Sequence, residues 1–130
     1  MGTTSRELKI TADYEWQPSR KVLDALMLEI GRDPTGEDYF EDMNRILKSL
    51  HGVSVHYELK AQFKWSDEML SQIGEVGAAQ HHENSLLPII RKADAEIKRT
   101  LVQRALDGLV SPGARVDFGA IPVALDAPLR

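Results

Sequence analysis

Two stretches of the chain alternate strictly between apolar and polar residues, and they share one pattern. Residues 10–16 read Ile-Thr-Ala-Asp-Tyr-Glu-Trp, and residues 59–65 read Leu-Lys-Ala-Gln-Phe-Lys-Trp. When they are aligned on Trp16 and Trp65, both run aliphatic, polar, Ala, polar, aromatic, polar, Trp. Such alternation is typical of a strand with one face in the core and the other in water. The repeat therefore predicts two related strands, at about residues 7–16 and 53–65.

Apolar residues at helical spacing follow the first predicted strand in two successive segments. The first helix begins at Gln17-Pro18-Ser19, because proline in a first turn loses no needed hydrogen bond, and it stops at Gly31. The second begins at Thr35, which forms a capping-box pattern with Asp38, and it stops at Gly52. The two apolar stripes consist of Val22, Leu23, Leu26, Met27 and Ile30, and of Tyr39, Met43, Ile46, Leu47 and Leu50.

Two more helices are predicted after the second strand. Ser66 begins the first of them, and two acidic residues follow it in the first turn. Residues 74–84 are weak in pattern and indicate a loop. Asn84 or Ser85 then caps the longest helix, which accommodates Pro88 in its first turn and runs to about residue 107. Within this helix Asp94 and Lys98 have the spacing of a surface ion pair.

The last twenty or so residues read as a further strand or arm. Ser111-Pro112-Gly113 signals a turn, after which the apolar positions change phase near Gly119, and this change predicts a β-bulge. Pro122 cannot donate a ladder hydrogen bond, so it favours an edge strand or an extended arm. The apolar residues on the two sides of the phase change are Val116, Phe118 and Ala120, and then Ile121, Val123 and Leu125.

These elements predict an α/β (or α+β) fold with the order β-α-α-β-α-α-β. We expect a two-layer sandwich in which helices cover one face of a small sheet and the other face stays wet. Residues 1–110 form a compact domain of two β-α-α units, and residues 111–130 form a C-terminal edge strand or interaction arm. A length of 130 residues suits one domain with a real core.

The exposed charges favour a parallel arrangement of the first two strands. Strands joined through helices usually return in parallel through a right-handed crossover. An in-register parallel pair sets Lys9 against Glu58 and Glu15 against Lys64, whereas the simplest antiparallel register sets Asp13 against Glu58. We therefore expect the two strands to run parallel.

Net charge, hydrophobic patterning and cysteine content argue against several classes of binding partner and of chemistry. The net charge is −4, from 20 acidic and 16 basic residues that are well mixed, so a duplex-binding face is not indicated. No apolar run approaches the ~20 residues that span a bilayer, and the N-terminus lacks the apolar stretch of a secretion signal. We expect a cytoplasmic protein, or one within a viral particle, that has no membrane partner. The chain contains no cysteine, which excludes disulfides and thiolate chemistry.

No motif for catalysis, metal binding or cofactor binding emerges. His81-His82-Glu83 places its two histidines about 100° apart on a helix, which does not suit a shared metal ion. The glycines at residues 74–77 follow a helix rather than a strand, so they do not match a dinucleotide loop. No Gly-x-Ser-x-Gly elbow occurs. We expect no cofactor and no metal, and catalysis is not indicated.

Two functional hypotheses remain. The first is a non-catalytic interaction or assembly module that binds a protein partner or itself, through its surface and the arm residues Phe118, Ile121, Val123 and Leu125. Structural subunits, phage or prophage accessory proteins, and inhibitors or regulators all belong to this class. The second is a small-molecule or nucleotide-binding domain whose site lies where two parallel strands end, beside helix N-termini. Its ligand would contact Trp16, Arg20, Trp65 and Ser66.

Overall fold

The computed structural model describes residues 2–124, without the side chains of residues 3–6, 8, 63–65, 75, 78–79, 81–85 and 123–124. Three strands and three helices follow one another along the chain. They are β1 (Thr3–Glu15), α1 (Arg20–Glu29), α2 (Tyr39–Ser49), β2 (Ser54–Ser66), α3 (Asp67–Leu106) and β3 (Arg115–Ala124). Gly74 has a non-helical backbone inside α3 and divides it into two helical segments. The described chain therefore has the predicted order β-α-α-β-α-α-β, and the mixed α/β class is confirmed.

The sheet has the order β1-β2-β3, with β2 in the centre. β1 pairs with β2 antiparallel, and β2 pairs with β3 in parallel. The predicted parallel arrangement of β1 and β2 is wrong. Glu15, where β1 ends, lies opposite Ser54, where β2 begins, so α1 and α2 together return the chain to the end of the sheet that it left. Between β2 and β3 the long second segment of α3 carries the chain back along the sheet once, which restores the parallel direction.

The exposed charges do not determine the strand direction, because a diagonal contact satisfies the same residues. Lys9 lies opposite Lys60 in the antiparallel register, yet its ammonium reaches Glu58 at 3.4 Å. Thr11 takes the position opposite Glu58, and Asp13 lies opposite His56. The expected repulsion between Asp13 and Glu58 is therefore avoided, and attraction between Lys9 and Glu58 is available in either strand direction.

The core lies between one face of the sheet and the helices, as the alternation predicted. The inward positions of β2 are buried, and the outward positions of β1 and β2 form the wet face. The predicted apolar stripes of α1 and α2 also point inward, although Val22 and Leu47 lie at their exposed margins. The largest fully buried side chains are Leu23, Met27, Met43, Ile46, Leu50, Leu86, Leu101, Val53, Val55 and Val102.

The predicted bulge in β3 is confirmed. The register of β3 against β2 shifts between the pairs His56–Asp117 and Glu58–Ala120, so β3 carries one extra residue there. Gly119 lies in this bulge with φ of 69°, a conformation that favours glycine, and its N–H donates to Asp117 Oδ1 at 2.8 Å. The bulge explains how apolar residues on both sides of the phase change face the same core.

The helix α3 begins as predicted, whereas Pro18 precedes α1 rather than lying in its first turn, and two other predictions are wrong. Ser19 and Ser66 cap α1 and α3, and their hydroxyls accept the N–H groups of Val22 and Met69, each at 3.2 Å. The predicted cap at Thr35 is wrong, because Thr35 donates to Asp33 in a turn and α2 begins only at Tyr39. The predicted loop at 74–84 is also wrong. Those residues continue α3 beyond the kink at Gly74, so Pro88 lies inside the helix rather than in its first turn.

Candidate functional site

The four residues predicted to bind a ligand do not form one site. Trp16 follows β1 directly, is only 9% exposed, and donates its backbone N–H to the Val53 carbonyl at 3.2 Å. Trp65 lies opposite Thr4, almost the whole length of the sheet away, because β1 and β2 are antiparallel. Ser66 lies at the Trp65 end, where its hydroxyl caps α3. The shared edge on which the small-molecule hypothesis rested is therefore absent from the described chain.

Arg20 contributes to a different surface feature, a cavity of about 500 Å³ between α1 and α2. Its guanidinium lies 5.3 Å from the ring centroid of Phe40, and Phe40 is 63% exposed. Nearby, the Tyr39 hydroxyl donates to Asp24 Oδ1 at 2.5 Å. Phe40 was not among the predicted site residues. Its place outside the apolar stripe of α2 could have indicated an exposed aromatic side chain. The cavity is lined by Arg20, Asp24, Ala25, Leu28, Pro34, Tyr39 and Phe40.

The arm residues that the structure describes contact the protein's own core. Phe118 and Ile121 are partly buried and pack against the main apolar cluster, and the Arg104 guanidinium lies 5.0 Å from the ring centroid of Phe118. Val123 occupies the register position opposite Ala61. Leu125 lies outside the described residues. The division between residues 1–110 and 111–130 remains a prediction, although residues 115–124 pair with β2 as a third strand.

A polar cluster around Asp94 joins α3 to the sheet. The hydroxyls of Tyr14 on β1 and Tyr57 on β2 both donate to Asp94 Oδ1, at 2.5 Å and 3.1 Å. On the other side, Lys98 Nζ lies 2.7 Å from Asp94 Oδ2 and 5.7 Å from the Trp16 ring centroid. The predicted pair of Asp94 and Lys98 is therefore present, and it anchors two tyrosines that sequence spacing alone could not connect to it.

The electrostatics of this cluster favour an ionised Asp94 and neutral tyrosines. Burial raises the pKa of Tyr57 to about 12, with added contributions from the Asp94 charge and hydrogen bond. Burial and the hydrogen bond to Asp94 likewise raise the pKa of Tyr14. Burial pushes the pKa of Asp94 upward, but the hydrogen bonds from Lys98 and the tyrosines outweigh it and lower that pKa. The cluster thus clamps α3 onto β1 and β2 at neutral pH.

The wet face of the sheet carries paired charges. Asp13 Oδ2 lies 3.4 Å from His56 Nδ1 and 3.7 Å from Arg115, while Lys9 pairs with Glu58. His56 Nδ1 is buried and lies within ion-pair distance of Asp13, but its geometry does not make a hydrogen bond. Oppositely charged neighbours therefore hold each other on this face, and exposed pairs of this kind contribute little to stability.

The backbone of β1 has an inner and an outer set of hydrogen-bonding groups. Trp16 donates to Val53, the residue opposite it, and Ser54 donates to Ala114 at the start of β3. The backbone groups of successive residues in a strand point toward opposite sides within the plane of the sheet. The even-numbered residues of β1 therefore bond to β2, and the odd-numbered residues direct their N–H and C=O groups away from β2. Lys9, Thr11 and Asp13 therefore present backbone groups along the outer edge of β1, and no strand of the described chain pairs with them.

The two edges of the sheet differ in protection. β3 has a bulge at Gly119. Pro122, which lacks an N–H, occupies a position of β3 whose backbone groups point away from β2. β1 contains neither proline nor glycine, and its register with β2 continues without a shift over all 13 residues. In the described chain, β2 is the only strand that pairs with β1. The outer edge of β1 is thus the more accessible template for another strand.

The described residues contain neither a metal-binding cluster nor a membrane-spanning helix. Where side chains are described, no group of three or more His, Asp or Glu residues could hold a metal ion, and the side chains of His81 and His82 lie outside that set. None of the described helices is both long and apolar enough to cross a membrane.

No protein-family model matches the chain, and comparison with curated proteins and with solved structures gives no similar protein.

Proposed function

We propose that the protein is a non-catalytic protein–protein interaction or assembly module that accepts a strand along the outer edge of β1. The observation that supports this is the length of that edge: β1 has 13 residues, against about 5–6 in an ordinary strand. Each odd-numbered residue presents a donor and an acceptor there. An added strand satisfies these groups and gains main-chain hydrogen bonds as its source of affinity.

The two edge strands, β1 and β3, differ in how their edges are protected, and this difference favours β1 as the interaction surface. Proteins usually protect exposed edges with proline, bulges, short strands or charged side chains, because unpaired edges recruit other chains. β3 has a bulge and a proline, and β1 has neither, so its protection is limited to charged side chains such as Lys9. The described arm residues Phe118 and Ile121 are partly buried in the core, so they offer less free surface than the arm hypothesis required. The interaction surface is therefore assigned first to β1 and only second to β3.

The class of protein remains the one that the sequence favoured. Structural subunits, phage or prophage accessory proteins, and inhibitors or regulators all use such surfaces, with a protein partner or a second copy of the chain. We place the module in the cytoplasm or within a viral particle. A nucleic acid or a membrane is not among the proposed partners, because the net charge of −4 is well mixed.

A matched pair of proline variants tests the edge. Thr11→Pro removes an N–H that points away from the sheet, so we expect it to fold normally and to lose strand addition. Ala12→Pro removes an N–H directed at Tyr57 on β2, so we expect it to lower the free energy of unfolding by about 1–3 kcal/mol. Binding is measured by fluorescence anisotropy with a labelled peptide of residues 3–15, and stability by urea unfolding.

The controls separate loss of the edge from loss of the fold. A peptide that carries the same Thr11→Pro change, and a scrambled peptide, should bind less well than the native peptide. Equal binding of the native peptide by the wild-type protein and by a folded Thr11→Pro variant would contradict the proposed edge.

A further inference from the structure

We infer that the strand added to β1 is β1 of a second copy, paired antiparallel about a two-fold axis at Leu8. This inference rests on the proposed function, because it identifies the partner of the same edge. Two-fold dimers bring one patch against itself and are the commonest oligomers. Here the patch is a strand edge, and pairing it with itself joins two three-stranded sheets into one.

The alternation of β1 is compatible with such a pair. In a two-fold antiparallel pair, a residue that lies a given number of positions before the axis residue is opposite the residue that lies the same number of positions after it in the second copy. The two partners in each pair therefore have the same parity. Wet-face positions such as Lys9 and Thr11 then meet wet-face positions, and inward positions meet inward positions. Joining the two sheets thus leaves their wet faces continuous and keeps both sets of helices on the same side.

Charge selects the register. An axis at Leu8 places Glu7 against Lys9 of the second copy twice, once on each side, and it sets no like charges against each other. An axis at Lys9 opposes two lysines, and an axis at Ile10 opposes Glu7 to Asp13. An axis at Thr11 opposes Glu7 to Glu15, and its attractive pairs of Lys9 with Asp13 only offset that repulsion. Like charges directly opposite each other are destabilising, so these three registers are disfavoured.

Length separates the registers that avoid like charges, of which the axes at Leu8 and Ala12 give the longest pairings. An axis at Ala12 pairs Lys9 with Glu15 and also avoids like charges, but it pairs only residues 9–15 of the two strands. The axis at Leu8 pairs residues 3–13 with each other, which is nearly the whole of β1. Because every additional pair contributes main-chain hydrogen bonds, the longer pairing is favoured. Lys9 then lies between Glu58 of its own chain and Glu7 of the second copy.

Charge-swap variants test the register by sedimentation equilibrium over a wide range of protein concentration. Lys9→Glu should raise the dimer dissociation constant by about tenfold or more, because two symmetry-related pairs become repulsive. The double variant Glu7→Lys with Lys9→Glu should restore dimerisation, since each attractive pair is recreated with its signs exchanged. Restoration cannot come from Glu58, because the double variant still carries a carboxylate beside it at position 9. Lys48→Glu on α2 is the matched control, and it should leave the dissociation constant unchanged.

The outcomes distinguish the inference from the proposed function. Loss of the dimer in Lys9→Glu and its recovery in the double variant support the register at Leu8. Recovery in Lys9→Glu with Glu15→Lys instead overturns that register in favour of the axis at Ala12. A wild-type monomer at every concentration overturns self-association, while binding of the residue 3–15 peptide would still support the edge. A dimer that persists in Thr11→Pro also overturns the inference, because association then uses another surface.

Discussion

Replacing Asp94 with alanine should lower the free energy of unfolding by about 2–3 kcal/mol at neutral pH. The substitution removes the shared acceptor of Tyr14 and Tyr57, and it leaves the Lys98 ammonium beside two aromatic rings without its carboxylate. Partly buried donors that lose their acceptor cost more than the net contribution of one hydrogen bond. Urea unfolding followed by circular dichroism measures the change.

The loss should depend on pH with a defined sign. The folded-state pKa of Asp94 is lowered, so its stabilisation is fully present above the ordinary pKa of an aspartate and is lost as pH falls through the folded value. The difference between the wild type and Asp94→Ala should therefore shrink on acidification. Tyr57 behaves in the opposite way: its pKa is raised to about 12, so its contribution is present below pH 10 and is lost as pH rises through about 12.

Asp24→Ala is the matched control for the Asp94 cluster. Asp24 also accepts a hydrogen bond from a tyrosine hydroxyl, Tyr39, at 2.5 Å, but it lies on the exposed face of α1 without a lysine partner. We expect its removal to cost less than about 1 kcal/mol. Equal losses for Asp24→Ala and Asp94→Ala would contradict the view that the Asp94 cluster clamps α3 to the sheet.

Replacing Leu101 with alanine should lower the free energy of unfolding by about 2–5 kcal/mol. Leu101 is fully buried on α3, within the main apolar cluster, so the truncation removes apolar contacts and leaves a cavity. Leu109→Ala removes the same atoms from a side chain that is 73% exposed, and it should change stability by less than about 0.5 kcal/mol. Thermal and urea unfolding of both variants check the difference. Similar losses would mean that the core does not lie between α3 and the sheet.

Local patterns in the sequence located most of the elements and the faces that they bury. Alternation marked the buried positions from Val53, just before β2, to Ala61 within it, and the phase change marked the bulge at Gly119. Cap chemistry located the start of α3 at Ser66, and the segment Gln17-Pro18-Ser19 indicated where α1 begins, although Pro18 precedes the helix. These features depend on residues within a few positions of one another, which is the range over which a pattern carries information.

The direction of β1 against β2 depends on a longer-range property. Two helices of similar length return the chain to its starting end, and the pattern of exposed charges could not reveal this because Lys9 reaches Glu58 in either direction. Thr35 had the chemistry of a cap, but it donates to Asp33 in a turn and α2 begins only at Tyr39. Residues 74–84 lacked an apolar stripe, and yet they continue the helix beyond a single glycine kink.

The candidate site could be predicted only in part for the same reason. The spacing of Asp94 and Lys98 showed the ion pair, but the two tyrosines reach Asp94 from different strands. The small-molecule hypothesis required Trp16 and Trp65 to lie at the same end of two parallel strands. The strands are antiparallel, so the two residues lie at opposite ends of the sheet. Edge accessibility is a property of strand order, so the outer edge of β1 emerged only with the sheet.

Residue-resolved amide hydrogen exchange along β1 tests the central claim most directly. In dilute protein we predict slow exchange at Ile10, Ala12 and Tyr14, whose N–H groups bond to β2, and fast exchange at Lys9, Thr11 and Asp13. Adding the residue 3–15 peptide, or raising the protein concentration, should protect the second set. Equal protection of both sets in dilute protein, or continued fast exchange at Lys9, Thr11 and Asp13 under both conditions, would contradict the open edge.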